Sequence, residues 1–239
     1  MKSLVLNKLD NYPFDVVESI NQLRVNLSFT DKDIKKIVVT STIPNEGKST
    51  ISLGLWRSLA GIGKKTLLLD CDLRLSQYRN ECRMSTKEVF VGTAHALSGQ
   101  NELRDVVYKT NVPNGYFIPV TSLVNNPSSL LESQRMTEML EQVSEIFDYV
   151  IIDTPPLASV ADALTILRHA DASMLVVRSG KSKKALVKES VDKLKNTGKP
   201  FLGFVLNDVD TSSHGSYYYK GYGDYYGGYD PQSHKKGKK

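Results

Sequence analysis

A doubly wound, mostly parallel α/β sheet is the fold class that this sequence predicts, and three observations predict it. Six short apolar runs alternate with longer amphipathic stretches from residue 13 to about 207. The runs are continuously apolar, as expected of strands covered on both faces. Three of them end in aspartate or run into a Gly-Lys turn, at the strand ends where open α/β sheets bind ligands.

The elements follow in order. A helix is expected over 14–28, then a strand at Lys36–Ser41 (KIVVTS) and a helix over 48–60. Trp56, on that second helix, is read as a core residue. Strands follow at Lys65–Asp70 (KTLLLD) and Gly115–Val120 (GYFIPV). A long helix over 128–146 has Ser128 or Ser129 as its cap, with Glu132 placed for a capping box. The strand Tyr149–Asp153 (YVIID) comes next. Helices over 160–168 and 183–195 then alternate with strands Ala172–Val177 (ASMLVV) and Phe201–Leu206 (FLGFVL). Regular β/α alternation demands crossover connections, and so parallel neighbours.

After Asp210 the composition changes. Residues 211–239 are Tyr, Gly, Ser, Lys and His without a periodic apolar face. Such a segment buries too little surface to offset its ordering entropy, so the expected division is a domain over 1–210 and a flexible tail over 211–239. Tyr217, Tyr218, Tyr219, Tyr222, Tyr225, Tyr226 and Tyr229 crowd into 13 positions of that tail.

Composition excludes several classes. The chain of 239 residues has a net charge of +5, but the tail holds five lysines against two aspartates. Three of the five positive charges therefore sit in the tail, and a near-neutral domain gives no nucleic-acid footprint. No stretch approaches the ~18 apolar residues of a membrane span, and no basic segment leads into an apolar one at the N-terminus. A cytoplasmic chain is expected, with any membrane association coming through a partner. Cys71 and Cys82 lack metal-ligand spacing and read as reduced structural thiols, and the four histidines show no metal spacing either.

Three strand ends carry the chemistry. The first strand runs into Ser41-Thr-Ile-Pro44-Asn45-Glu46-Gly47-Lys48-Ser49-Thr50 and a helix. Phosphate binding needs exposed backbone N–H groups, a helix N-terminus and a lysine that reaches the β/γ oxygens. Gly-Lys-Ser at a strand-to-helix turn supplies all three, and the Ser49 hydroxyl is placed for Mg²⁺. The usual glycine that opens such a loop is Thr42 here. The second strand ends in Asp70-Cys71-Asp72-Leu73-Arg74, two carboxylates suited to Mg²⁺ organisation or to accepting a proton from a nucleophile. The third, Val150-Ile-Ile-Asp153-Thr-Pro155-Pro156, is an apolar strand ending in a metal-anchoring aspartate, and its two prolines stop the strand. Asn207, at the end of the last strand, is placed either to meet an adenine edge or as a plain turn residue.

With these residues the chain resembles the bacterial tyrosine kinases (BY-kinases) of the CpsD/CapB type. That family carries a modified Walker A (S-x-x-P-x-x-G-K-S/T), a Walker A′ (hhhDxDxR) and a Walker B (hhhDxPP), and all three occur here in order. Asn126-Pro127-Ser128-Ser129-Leu130-Leu131-Glu132-Ser133 looks like the family's NPxxLLxS stretch, and the terminal tyrosine cluster fits as well. The resemblance implies a P-loop NTPase fold of the deviant Walker type, with Lys48 and Ser49 holding ATP and Mg²⁺. It implies Asp70 as the base toward a tyrosine hydroxyl, with Asp72 and Asp153 organising the metal. It further implies phosphorylation of the tail tyrosines in trans within a homo-oligomer. The implied activator is a separate transmembrane protein of the polysaccharide co-polymerase type, acting in capsule or exopolysaccharide synthesis and export at the inner face of the membrane. The family's E-x-x-R-x-x-R oligomerisation motif reads Glu18-Ser-Ile-Asn21-Gln-Leu-Arg24, without its middle arginine, and Leu75-Ser76-Gln77-Tyr78 replaces a proline-bearing segment. Two other readings use the same motifs. One is a positioning ATPase of the ParA/MinD type, whose loop has an extra lysine where Ile43 stands here. The other is a nucleotide-dependent scaffold without turnover.

Overall fold

The computed structural model describes residues 2–209 apart from Leu123 and Asn125. A compact unit ends at Asn207, and 208–239 form a second unit. The seven tail tyrosines lie outside the described residues.

The strands are β1 (Lys2–Leu6), β2 (Lys36–Ser41), β3 (Thr66–Asp70), β4 (Met84–Ser85), β5 (Tyr108–Thr110), β6 (Gly115–Ile118), β7 (Tyr149–Asp153), β8 (Ala172–Arg178) and β9 (Phe201–Asn207). They form one sheet in the order β4-β1-β5-β6-β3-β7-β2-β8-β9. Every pairing from β6 through β9 is parallel, and only β5 with β6 and β1 with β4 run antiparallel. The predicted six strands are all present, within two residues at each end. The sequence pattern missed β1, β4 and β5, which are two to five residues long and extend the sheet at one margin. Their signal is a brief alternation, seen in β1 where Leu4 and Leu6 are buried and Val5 is exposed.

The helices are α1 (Phe14–Ser28), α2 (Lys48–Gly61), α3 (Tyr78–Glu81), α4 (Thr93–Leu97), α5 (Leu103–Val106), α6 (Pro127–Leu131), α7 (Gln134–Ile146), α8 (Asp162–Leu167) and α9 (Lys184–Lys195). The long helix predicted over 128–146 is two helices. Ser133 is extended, at φ −70° and ψ 153°, and heads α7. Ser128 and Ser129 therefore do not form the predicted capping box; Ser129 bonds the carbonyl of Asn126 and Ser128 reaches Asp162. The break lets Leu131 and Met136 both enter the core without exposure.

Side chains of the central strands alternate between two cores. Val38, Leu67, Leu69, Val150, Ile152 and Leu175 pack with α6, α7 and α8 on one face. Ile37, Val39, Leu68, Ile151, Met174 and Val176 pack with α2 on the other, around Trp56. The Trp56 indole donates to the carbonyls of Thr66 and Tyr116, both 3.0 Å away, so its one polar atom is satisfied. The register then sets the site: Asp70 is paired directly with Asp153 across β3 and β7, and β7 lies between β3 and β2. Among the described residues no helix is long and apolar enough to cross a membrane.

Candidate active site

The loop between β2 and α2 and the ends of β3 and β7 meet at one edge of the sheet. Gly47 caps α2 in the left-handed region (φ 89°), and a Cβ there would lie 2.0 Å from the Asn207 amide. Glycine is required twice over, by conformation and by space. From this turn Lys48 reaches back to the strand ends. Its ammonium stands 3.2 Å from Asp72 Oδ2, 3.4 Å from Asp153 Oδ2 and 3.1 Å from Ser49 Oγ. The Ser49 hydroxyl donates to Asp153 Oδ2 at 2.7 Å, and Ser52 Oγ donates to Asp153 Oδ1 at 3.0 Å. Burial by itself would lower the pKa of Lys48, but Asp153 and Asp72 outweigh it and hold the ammonium charged.

Asp70 is set deeper. It is fully buried, and its carboxylate accepts from the Ser76 hydroxyl, the Val120 amide at 3.3 Å and the Asp72 amide at 3.1 Å. Burial, and secondarily the neighbouring Asp153, push its pKa up to about 7 against the partial relief of these hydrogen bonds. The aspartates two residues apart thus do not act alike: Asp72 faces Lys48, and Asp70 faces the loops behind it. Arg74 grips Asp162 with Nε (2.9 Å) and with its second terminal nitrogen (3.2 Å), and meets Ser128 at 3.0 Å. This ties the Asp-x-Asp loop to the Asn-Pro-Ser-Ser stretch.

The outer side of the phosphate loop is held from β8 and β9. Glu46 is wholly buried, and its carboxylate accepts from Ser182 Oγ (2.7 Å) and from the amides of Ile43 (2.9 Å) and Arg178 (3.2 Å). Lys181 donates to the carbonyls of Pro44 (3.0 Å) and Asn45 (2.8 Å). Asn207 Nδ2 donates to the Glu46 carbonyl at 2.9 Å. Hence the Glu46 carboxylate is fully taken up within the protein, while Asn207 braces the loop.

Pro44, Asn45 and Thr50 are exposed at the rim. Glu18 and Arg24 lie on α1, outside this cluster. There Asn21 donates to Glu18 Oε1 (3.1 Å) and accepts from Ser58 (2.9 Å), so the residue in place of the expected arginine fastens α1 to α2. Sequence reading missed Ser52, Asp162, Lys181 and Ser182. It also missed Tyr78, a buried residue whose hydroxyl donates to the Ser49 carbonyl at 3.0 Å. Ser52 sits one helical turn after Lys48, a spacing that marks a shared face. Ser182 is 136 positions from Glu46, and no local pattern announces that pair.

The donor set suits Mg²⁺, a hard cation held through one or two carboxylates and phosphate oxygens. Asp72, Asp153 and the Ser49 hydroxyl are oxygen donors converging on one ammonium, and they would hold it.

An AAA domain family matches residues 29–199. The chain is 36% identical over 219 residues to the tyrosine-protein kinase CpsD of Streptococcus agalactiae, covering 92% of each chain. It is 39% identical over 195 residues to that of Streptococcus pneumoniae serotype 4, covering 82% of this chain and 85% of that one. The kinase domain of the Escherichia coli tyrosine kinase ETK superposes with a TM-score of 0.77 at 28% identity, over 89% of this chain and 86% of that one.

Proposed function

This chain belongs to the CpsD-type bacterial tyrosine-protein kinases and carries their AAA domain, and we propose that it moves the γ-phosphoryl group of ATP onto tyrosine hydroxyls. The observation that carries the proposal is the ammonium of Lys48, 3.2 and 3.4 Å from Asp72 and Asp153 at the base of a glycine-turned loop. The acceptors are tyrosines of the tail, Tyr217, Tyr218, Tyr219, Tyr222, Tyr225, Tyr226 and Tyr229, presented in trans by another copy.

The phenolic oxygen forms a bond to the γ-phosphorus while the bond from that phosphorus to the β,γ-bridging oxygen breaks, and ADP departs. Lys48 neutralises charge on the β and γ oxygens, and the loop N–H groups of Asn45 to Gly47 orient them. Mg²⁺, which Asp72, Asp153 and the Ser49 hydroxyl would hold, would supply further charge neutralisation. Asp72 and Asp153 fix Lys48, and Ser49 and Ser52 fix Asp153. Asp70 is the acceptor for the phenolic proton that the family resemblance implies. Its carboxylate is buried with both oxygens bonded, so it serves only once Ser76 has moved off it. Most of the rate comes from positioning and not from strong base action. Tyr78 is excluded as an acceptor, since its hydroxyl is buried and bonded.

The same family membership supports a homo-oligomer built through Glu18 and Arg24 of α1. It also supports a transmembrane activator of the polysaccharide co-polymerase type at the inner membrane face, with capsule or exopolysaccharide export as the process. Phosphopeptide mass spectrometry of 211–239 after incubation with ATP and Mg²⁺ tests the central claim. It is run with and without the activator's cytoplasmic segment, with Lys48→Met as control. Phosphate on several tail tyrosines, absent from the control, is expected. ATP hydrolysis without phosphotyrosine under either condition would overturn the kinase reading.

A further inference from the structure

We propose that Ser182, Lys181 and Asn207 form a clamp that sets the phosphate loop in its anion-binding shape before nucleotide arrives; the proposal rests on the nucleotide reading above. Three consecutive loop residues have their carbonyls taken from outside. Lys181 holds those of Pro44 and Asn45 at 3.0 and 2.8 Å, and Asn207 holds that of Glu46 at 2.9 Å. In a planar trans peptide the C=O and N–H point to opposite sides. Fixing these carbonyls outward therefore turns the N–H groups of Asn45, Glu46 and Gly47 to the other side, where phosphate oxygens are expected.

The backbone of the loop fits that use. Asn45 has φ 62° and Gly47 φ 89°, with Glu46 between them. Left-handed residues spaced in this way build the concave row of N–H donors that binds anions, and asparagine is among the few residues besides glycine that take that region readily. Glu46 poses a problem, because it places a negative charge inside a loop that receives a polyanion. The clamp resolves it. Ser182 Oγ at 2.7 Å, with the amides of Ile43 and Arg178, draws the carboxylate into full burial on the outer side. Of the clamp residues Lys181 is exposed and Ser182 half-buried, so the serine anchors more strongly than the lysine.

A pre-set loop removes an ordering cost from binding, and only from ligands that use the loop. Ser182, Lys181 and Asn207 are thus positioning residues for the β and γ phosphates, and their loss falls on ATP and ADP while sparing AMP. The experiment measures ADP and AMP affinities by titration calorimetry on the full chain, and KM and kcat for ATP, for wild type, Ser182→Ala, Ser182→Thr and Lys181→Ala. Losing the Ser182 hydrogen bond to a charged group should weaken ADP about tenfold, and Lys181→Ala about threefold. AMP affinity and kcat at saturating ATP should hold, and Ser182→Thr should restore ADP binding. Equal weakening of ADP and AMP, or kcat falling with an unchanged KM, would reduce the clamp to a general structural role. Wild-type ADP binding with unaltered variants would sink the clamp alone. A wild-type chain that binds no ADP would sink the nucleotide reading and the clamp with it.

Discussion

The phosphate loop has two sides, and different interactions hold them. On the inner side Lys48 meets Asp72 and Asp153, whose side chains are 13%, 8% and 1% exposed. These are charges on charges, at distances that a phosphate or a cation can rearrange. On the outer side each charge meets neutral groups. The Glu46 carboxylate, which solvent does not reach, accepts from two amides and a hydroxyl, and the Lys181 ammonium donates to backbone carbonyls. Buried charge pairs are costly to desolvate and respond strongly to a new ligand, whereas fully satisfied polar groups mainly fix shape. The inner side is the one on which the proposed chemistry rests, and the outer side fixes the loop's shape.

The comparison can be broken first at Lys48. Lys48→Met should lower phosphoryl transfer by about 10³-fold or more, because the charge opposite the transferred group is gone. Single-turnover transfer to a tail peptide reads this, and a loss of less than tenfold would move the chemistry off the inner side.

Asp70 sharpens it next, through the pH dependence of stability. Its folded pKa of about 7 lies above the ordinary 3.8, so the folded state holds the proton more tightly. The contribution of Asp70 to stability is then fully present below pH 3.8 and is lost as pH rises toward about 7. At 1.36 kcal/mol per pKa unit that loss is about 4 kcal/mol. Asp70→Asn lacks the titration, so wild type should lose stability relative to the variant across this window in Mg²⁺-free urea melts. Parallel pH profiles would show that Asp70 is not held in the way its burial implies.

The smallest effect is expected on the outer side. Glu46→Gln sets an amide group against donors that all point inward, and should cost about 2 kcal/mol in urea unfolding. A neutral outcome would mean that the carboxylate is free to turn, and that the two sides differ less than their contacts indicate.

Much of the inner side was legible. Gly47, Lys48 and Ser49 are contiguous, and Asp72 and Asp153 stand at or just beyond strand ends that apolar runs predict, so local pattern and strand-end position suffice. Reading alone did not separate Asp70 from Asp72. Alternation along an extended chain points residues two apart the same way, but β3 stops at Asp70 and the chain turns there. Nor did it assign Asn207 to the loop, since an asparagine at a strand end serves a ligand or a turn equally well.

The sequence by itself determined the parallel core, the order of its central elements along the chain and the place of the Gly-Lys-Ser turn between β2 and α2. Those depend on local periodicity and on residues adjacent in the chain. Only the tertiary structure decided that helix 128–146 breaks at Ser133, that three short strands extend the sheet, and that the Glu46 carboxylate is bonded to Ser182. Those outcomes depend on which distant segments share space. Packing in three dimensions sets them, because a side chain's partner is chosen by proximity after folding and carries no signature in its own neighbourhood.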